Sequence, residues 1–543
     1  MTFLGRKSLR LITFTMICVS ASLCLADEEF HMNVKQLAGA KLRALPAIVA
    51  KFETSGERAL PLLRAMLEGA LYYRKNDKRI VAAYRTETGD FRLDDLLEGI
   101  DLEVASKREI KKIVVNNRLR GQIRKIIARI TLTSEDRFVR ELAVDNMLND
   151  LNQENLLLLR AARKKEKDGD ILSKLNMAIA IDDLKHNKST QLRLDAIDII
   201  DGSLQPIVVN TLNSLLDIDG EGIPIEKDEK VRKRALMAKE SIELKISFYE
   251  VLQRIFYGLS LGSILLLIAT GLAITFGVMG VINMAHGELI MIGAYTAYVV
   301  QLLLPNSIEF SIIIAIPAAF AVSGLCGILI ERYVIRYLRG RPLETLLATF
   351  GISLILQQTV RTIFSPLNRQ VVSPTWLSGS LEINPVFALT YNRLYILAFA
   401  VLVLLCLQLV LKKTKLGLQV RAVSQNREMA RAMGVRTERV DALTFGLGAG
   451  VAGVAGVALS QLTNVGPNLG QAYIVDSFMV VVFGGVGNLW GTMVGGFTLG
   501  VANKFLEPIT GPVLANIFVL IFIILFIQKR PSGLFPQTGR AAE

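Results

Sequence analysis

The sequence predicts an all-α protein in two parts: an N-terminal helical region, then a polytopic membrane bundle of about eight or nine spans. Three observations carry this. Of the 543 residues, 51% are hydrophobic and only 20% charged, too apolar a mixture for an ordinary water-soluble chain. The apolar residues concentrate after about Glu250 in runs near the 20 residues that cross a bilayer. Ahead of them the chain is rich in Lys, Arg, Asp and Glu, and its apolar residues recur three and four apart, the period of an amphipathic helix. The expected divisions are 1–26, a signal peptide; 27–245, an exported helical domain; and 246–543, a transmembrane domain.

The beginning has the three parts of an export signal. Arg6, Lys7 and Arg10 form a basic leader, residues 11–19 an apolar core, and small residues lead to Ala26 ahead of Asp27, Glu28 and Glu29. Cleavage after Ala26 is expected; the alternative is an uncleaved anchor. Cys18 and Cys24 leave with the signal, while Cys326 and Cys406 lie in separate apolar spans. The exported region then has no cysteine for a disulfide and must rely on its own core.

Between 27 and 245 the pattern is helical. Residues 138–148 put apolar side chains on one face, and 193–200 repeat the pattern. Paired amphipathic helices fit either a helical-repeat domain or a plain bundle. Asp217, Asp219, Glu221, Gly222 and Asp228 imitate a calcium loop. Glu at its fifth place, Asp at its twelfth and Pro224 between them favour a Gly- and Asp-rich turn instead.

The apolar runs fall near 251–278, 288–304, 310–331, 344–364, 393–411, 440–462 and 512–528, with a Gly-rich run near 474–506. Arg332, Arg336, Arg339 and Arg341 follow the third. Lys412, Lys413, Lys415, Arg421, Arg427, Arg431, Arg436 and Arg439 follow the fifth. Both basic loops are expected in the cytoplasm, which puts the N-terminal region outside, as the signal also requires. Lys529 and Arg530 place the C-terminus inside only if the Gly-rich run makes two short crossings, nine in all. The net charge of +13 is explained by these loops, and no compact basic, aromatic-studded domain points to nucleic acid.

Chemistry concentrates at two places. Residues 277–288 carry Asn283, His286 and Glu288 among glycines, between two apolar spans. Polar groups are costly in lipid, so these face a protein interior, a cavity or the cytoplasmic surface, where a broken helix lines a solute path; the plainer alternative is a short turn in which Asn283 and Glu288 cap helices. The long basic loop carries Glu428, Ala430 and Gly434, a short helix stopped by glycine or a solvated connector. No catalytic, cofactor or metal site is expected. Gly-Lys-Ser/Thr is missing, so ATP is not hydrolysed on this chain. His31, His186 and His286 lack zinc-ligand spacing. The Gly-x-Ser-x-Gly string at Gly258, Ser260 and Gly262 lies inside a span, where small residues ease helix packing.

Four stretches carry a family resemblance: Gly-Val-Ile-Asn-Met-Ala-His-Gly-Glu at 280–288, Arg-Pro-Leu-Glu-Thr-Leu-Leu-Ala-Thr-Phe-Gly at 341–351, Gly-Gly-Val-Gly-Asn-Leu-Trp-Gly at 484–491 and Arg-Pro-Ser-Gly-Leu-Phe at 530–535. From about Gly258 to Pro536 the chain resembles permeases of branched-chain amino acid and urea-type ABC importers. Within that family, residues 373–379, the ending 522–531 and the exported N-terminal domain resemble the urea-transport permease. The resemblance implies a non-enzymatic permease for urea in a bacterial inner membrane, with the N-terminal domain on the periplasmic side. Its implied partners are a second homologous permease, two cytoplasmic ATPase subunits that hydrolyse the ATP, and a periplasmic solute-binding protein. Glu428, Ala430 and Gly434 match the loop that docks on the ATPase, although Met429 stands where the pattern has alanine. Asn283, His286, Glu288, Thr349 and Ser353 are the candidates for the translocation pathway. Branched-chain amino acids or short amides are the alternative solutes; a secondary transporter or channel, or a membrane-anchored receptor, are the rivals from other classes.

Overall fold

The computed structural model describes residues 30–85, 90–96, 101–106, 108–220 and 223–535. The expected signal peptide, 1–26, lies outside them, as do Glu221 and Gly222 of the calcium-like turn. The chain divides into two compact units, Met1–Glu243 and Leu244–Glu543.

The first unit corrects the all-α expectation. Helical residues 30–37 and the helices α1 (Leu45–Lys51) and α2 (Leu60–Glu68) precede a five-stranded sheet. Its strands are β1 (Leu71–Arg74), β2 (Ile80–Arg85), β3 (Phe91–Asp95), β4 (Asp101–Ala105) and β5 (Ile110–Lys112), antiparallel in the order β4-β3-β2-β1-β5. The cause lies in β2. Its Ile80 and Ala82 join a core with Leu45, Val49, Leu63, Leu119 and Ile123 of the helices. Val81 and Ala83 point the other way and pack with Leu93, Ala105 and Ile110. A strand with both faces covered reads as a continuous apolar run, which period alone does not separate from a buried helix turn.

After the sheet the unit is helical: α3 (Asn117–Leu132), α4 (Arg137–Leu148), α5 (Gln153–Arg163), α6 (Gly169–His186), α7 (Thr190–Ile200) and α8 (Pro206–Leu216). Helix α4 covers the expected 138–148 and is capped by Asp136, whose Oδ1 accepts from the Phe138 amide at 2.8 Å. Helix α7 covers 193–200 and buries Ala196, Ile197 and Ile200. In the calcium-like turn, Ile218 and Pro224 form an isolated antiparallel bridge. Asp228 is taken up by the next helix, its Oδ1 accepting from the Lys230 amide at 2.9 Å.

That helix, α9 (Glu229–Met279), opens the membrane part. It is followed by α10 (His286–Leu303), α11 (Ile308–Tyr333) and α12 (Pro342–Phe364). A hairpin, β6 (Ser380–Asn384) with β7 (Phe387–Thr390), then leads into α13 (Tyr391–Lys413). The short α14 (Lys415–Gln425) and α15 (Arg427–Ala432) precede α16 (Thr437–Ser460), α17 (Gln471–Gly484), α18 (Leu489–Thr510) and α19 (Pro512–Lys529). Among the described residues, six helices are long and apolar enough to cross a membrane: α9, α11, α12, α13, α16 and α19. The expected nine crossings would also need α10, α17 and α18, which are not among these six. The Gly-rich run breaks between α17 and α18, where Gly485 and Gly487 take φ +105° and +79°, left-handed values that favour glycine.

Helix α16 is the axis of the second unit. It is buried through nearly its whole length and consists largely of Gly, Ala and Val, which let neighbouring backbones come close. A Cβ on Gly448 would meet the Gly271 carbonyl of α9 at 2.6 Å, and one on Gly453 would collide with α11.

In the first unit, Arg193 grips Glu226 through both carboxylate oxygens, Nη1 to Oε1 at 3.1 Å. Burial alone would raise the Glu226 pKa; the Arg193 hydrogen bonds outweigh it and hold the carboxyl below its ordinary value. A depressed folded-state pKa contributes stability above the ordinary glutamate value, lost as pH falls through the folded one. The E226Q variant is therefore expected to lose about 1–3 kcal/mol at neutral pH. In thermal unfolding of the full chain, its deficit should shrink below about pH 4.

Candidate functional site

Helix α9 stops at Met279 because Gly280, at φ +65°, turns the chain out of helical geometry. Residues 280–285 then run without regular structure to α10. Asn283 is 1% exposed, and its Oδ1 accepts from the Ala285 amide at 3.0 Å, closing the turn. Glu288, in the first turn of α10, is equally buried. It does not cap the helix: its Oε1 accepts from Gln357 Nε2 at 2.6 Å. Three polar atoms here have no partner among the described residues, Asn283 Nδ2, His286 Nδ1 and Glu288 Oε2. Buried groups of this kind are ordinarily satisfied, so an unpaired donor and acceptor in one segment mark where water or a polar ligand fits.

Opposite stands α12, which is inverted relative to a water-soluble helix. Leu343, Leu347, Leu354, Ile355 and Ile363 are exposed, whereas the buried face carries Thr345, Thr349, Ser353 and Gln357. Spacing by four stacks these on one side of the helix. Thr349 Oγ1 accepts from the Met284 amide at 3.2 Å, and Gln357 reaches Glu288 one helix away. The structure thus brings Glu288, Thr349 and the Asn283 segment together, with Ser353 on the same face between Thr349 and Gln357. His286 is directed elsewhere. Fully buried, it donates from Nε2 to the Ile268 carbonyl of α9 at 3.1 Å, and it pins α10 to α9.

The second place is α15. Asn426 caps it, Oδ1 accepting from the Met429 amide at 2.9 Å. Gly434, at φ +86°, ends the turn while the Val435 amide bonds the Ala430 carbonyl at 3.0 Å. Ala430 is buried and Glu428 exposed; Met429 and Met433 are 60% and 78% exposed. The exposed residues are therefore Glu428 and Arg431 beside Met429, Ala432 and Met433, charges set next to soft methionines that suit a partner. Asp441 of α16, completely buried, ties this element down through ion pairs to both Arg427 and Arg339. Arg339 also reaches Glu331 of α11 at 3.1 Å. The connection from α11, the short helix α15 and the start of α16 are joined through one carboxylate.

Residues 254–527, from within α9 almost to the end of α19, match the family model described as branched-chain amino acid transport system / permease component. The chain belongs to this family. It is 33% identical over 297 residues to the high-affinity branched-chain amino acid transport system permease protein BraD of Pseudomonas aeruginosa, a match covering 53% of this chain and 96% of BraD. With LivH of Escherichia coli K12, of the same description, it shares 31% identity over 298 residues, again 53% of this chain and 96% of the relative. A weaker similarity links it to the ribose import permease protein RbsC of Bacillus subtilis, 29% over 157 residues, 27% of this chain and 46% of RbsC. No solved structure matches the chain significantly. The family match leaves residues 1–253 uncovered.

Sequence reasoning missed Gln357, Thr345, Asp441 and Glu331 in this permease-family chain. The first two were legible as four-residue steps from Ser353 and Thr349. The carboxylates were not, because charged residues beside a basic loop read as ordinary surface. Replacing Asp441 by Asn leaves Arg339 and Arg427 without their shared counter-charge and is expected to cost about 3–5 kcal/mol. The measurement is trypsin cleavage in the basic segment around α15, which should speed up in D441N at a temperature where the wild-type segment resists.

Proposed function

We propose that this chain is the permease subunit of an ATP-driven importer for a small polar solute. It sits in a bacterial inner membrane with residues 27–245 on the external side. The observation that carries the pathway is the buried, uncharged hydrogen-bonding face of α12 set against the unpaired Asn283 Nδ2 and Glu288 Oε2. A membrane span hides such groups from lipid, and unfilled donors and acceptors suit a solute that brings its own. Thr349, Ser353 and Gln357 offer successive partners along α12, and His286 holds the segment in place. A soluble external binding protein delivers solute to the mouth formed with a second, homologous permease.

Two ATPase subunits in the cytoplasm supply the energy and dock on α15. Glu428 and the exposed methionines form the contact, Ala430 anchors the helix inward, and Gly434 lets the chain turn sharply behind it. Because Asp441 links α15 to α16, movement of the docking helix passes to the axis against which α9, α10 and α11 pack. The exchange between outward-open and inward-open states follows from nucleotide favouring one position of that helix.

The names of BraD and LivH support a branched-chain amino acid as the solute. Urea is the second reading. It is favoured by the uncharged stretch Thr345, Thr349, Ser353 and Gln357 of α12, since a neutral solute rich in hydrogen-bonding groups needs amide and hydroxyl partners more than charges. Uptake of labelled leucine and of labelled urea, in cells with and without the chain, separates the two. Loss of leucine uptake alone establishes the amino-acid reading, and loss of urea uptake that leucine does not inhibit establishes the urea reading. Retention of both uptakes without the chain would contradict the proposal. In the chain-dependent system, Q357L is expected to lower uptake at least tenfold by leaving Glu288 buried without its donor.

A further inference from the structure

The polar face of α12 does not end at Gln357. One further step of four reaches Arg361; because each such step also turns about 40° around the axis, the row Thr345, Thr349, Ser353, Gln357 and Arg361 winds around α12 as it rises about 24 Å, from the buried face to the partly exposed Arg361. Arg361 stands in the wall of a cavity of about 500 Å³, between the loop after α12 and the loop after α16. Asn368, Asn464 and Asn468 share that wall. The two loops are tied into one rim: the Arg369 amide donates to the Val465 carbonyl at 2.7 Å, and the Val465 amide returns the bond at 2.8 Å. Gly466 lies close against the side chain of Asn368, which a Cβ there would displace.

The guanidinium is only partly engaged. Nη2 donates to Asn468 Oδ1 at 2.8 Å, the one hydrogen bond it makes among the described residues. A guanidinium carries five N–H donors in a planar fork, so several remain for an incoming oxygen. Below the rim, Val360 and Val465 pack with Tyr295. Tyr295 is 3% exposed, and its hydroxyl has no partner. A charged donor and three amides therefore share the wall of this cavity, above the apolar cluster that holds Tyr295.

We propose that this cavity is the entry subsite of the permease, where Arg361 and the asparagine amides take a carboxylate or carbonyl oxygen of the solute before it passes to Gln357 and Glu288. The inference rests on the transport function proposed above and on the topology that puts this end of α12 outside. The shared chemistry is an oxygen acceptor; a zwitterionic amino acid supplies it with a negative charge, urea without one. These two demand different replacements. A carboxylate requires a cation, whereas a neutral carbonyl accepts from any well-placed N–H.

The test measures initial rates of leucine and urea uptake by the full importer, with saturating binding protein, for wild type, R361A, R361K and R361Q at matched membrane levels. R361A is expected to lower the rate at least tenfold for whichever solute the wild type carries. For a carboxylate solute, R361K retains uptake and R361Q fails; for urea, R361Q retains as much as R361K. An R361A rate within twofold of wild type, at normal membrane level, would overturn the subsite and leave the permease reading intact. If the wild type carries neither solute, the transport proposal fails and the subsite with it.

Discussion

Close approach of backbones around α16 is the constraint on which the rest of the second unit depends. A span built from Gly, Ala and Val has little side chain to pack, and lipid provides no hydrophobic drive to hold apolar helices together. Contact must come from proximity. Gly448 against Gly271 and Gly453 against α11 bring three helices onto one axis, and α10 is drawn in by Gly456, whose Cβ would collide with the Ile290 carbonyl. Only with α10 fixed in this way do the segment before it and its own first turn present Asn283 and Glu288 to α12.

That arrangement explains how so many polar groups are tolerated inside a membrane part. Each unsatisfied hydrogen-bonding group in an apolar setting costs several kcal/mol, of the order of ~4–8 kcal/mol when nothing can pair with it. Most here are paired locally: Thr275 and Thr444 bond carbonyls of their own helices, and Ser323 reaches the Leu289 carbonyl at 3.1 Å. Among the described residues, the buried atoms without a partner include Asn283 Nδ2, His286 Nδ1 and Glu288 Oε2 in one short segment beside α12, and others on Ser260, Tyr295, Asp441 and Gln461 elsewhere. The Asp441 linkage belongs to the same logic at the other end of the helices, where one buried carboxylate answers two arginines and leaves α15 free to move only with α16.

Much of this was legible in the chain. The apolar runs located the membrane helices because lipid demands long unbroken stretches, and glycine marked the breaks at 280 and 485–487 because their backbones need φ above zero. Asn283, Glu288, Thr349 and Ser353 stood out as polar residues in apolar surroundings. What stayed hidden depends on pairing between distant segments. The sheet escaped because β2 is apolar on both faces, so the alternation that announces a strand is missing. His286 looked equivalent to its neighbours, yet the turn at Gly280 swings it toward Ile268, a direction fixed by tertiary packing rather than spacing. Asp441 and Arg339 lie about a hundred residues apart in sequence, and nothing local couples them.

The central claim is that water and solute meet the Thr345–Gln357 face of α12 while lipid meets the other. Cysteine substitutions along α12 in the assembled importer, each exposed to a small water-soluble thiol reagent, test it most directly. Rapid labelling is expected at positions 349, 353 and 357, slowed by transported solute, and little at 347, 354 and 355. Equal labelling on both faces, or labelling confined to the apolar one, would contradict it.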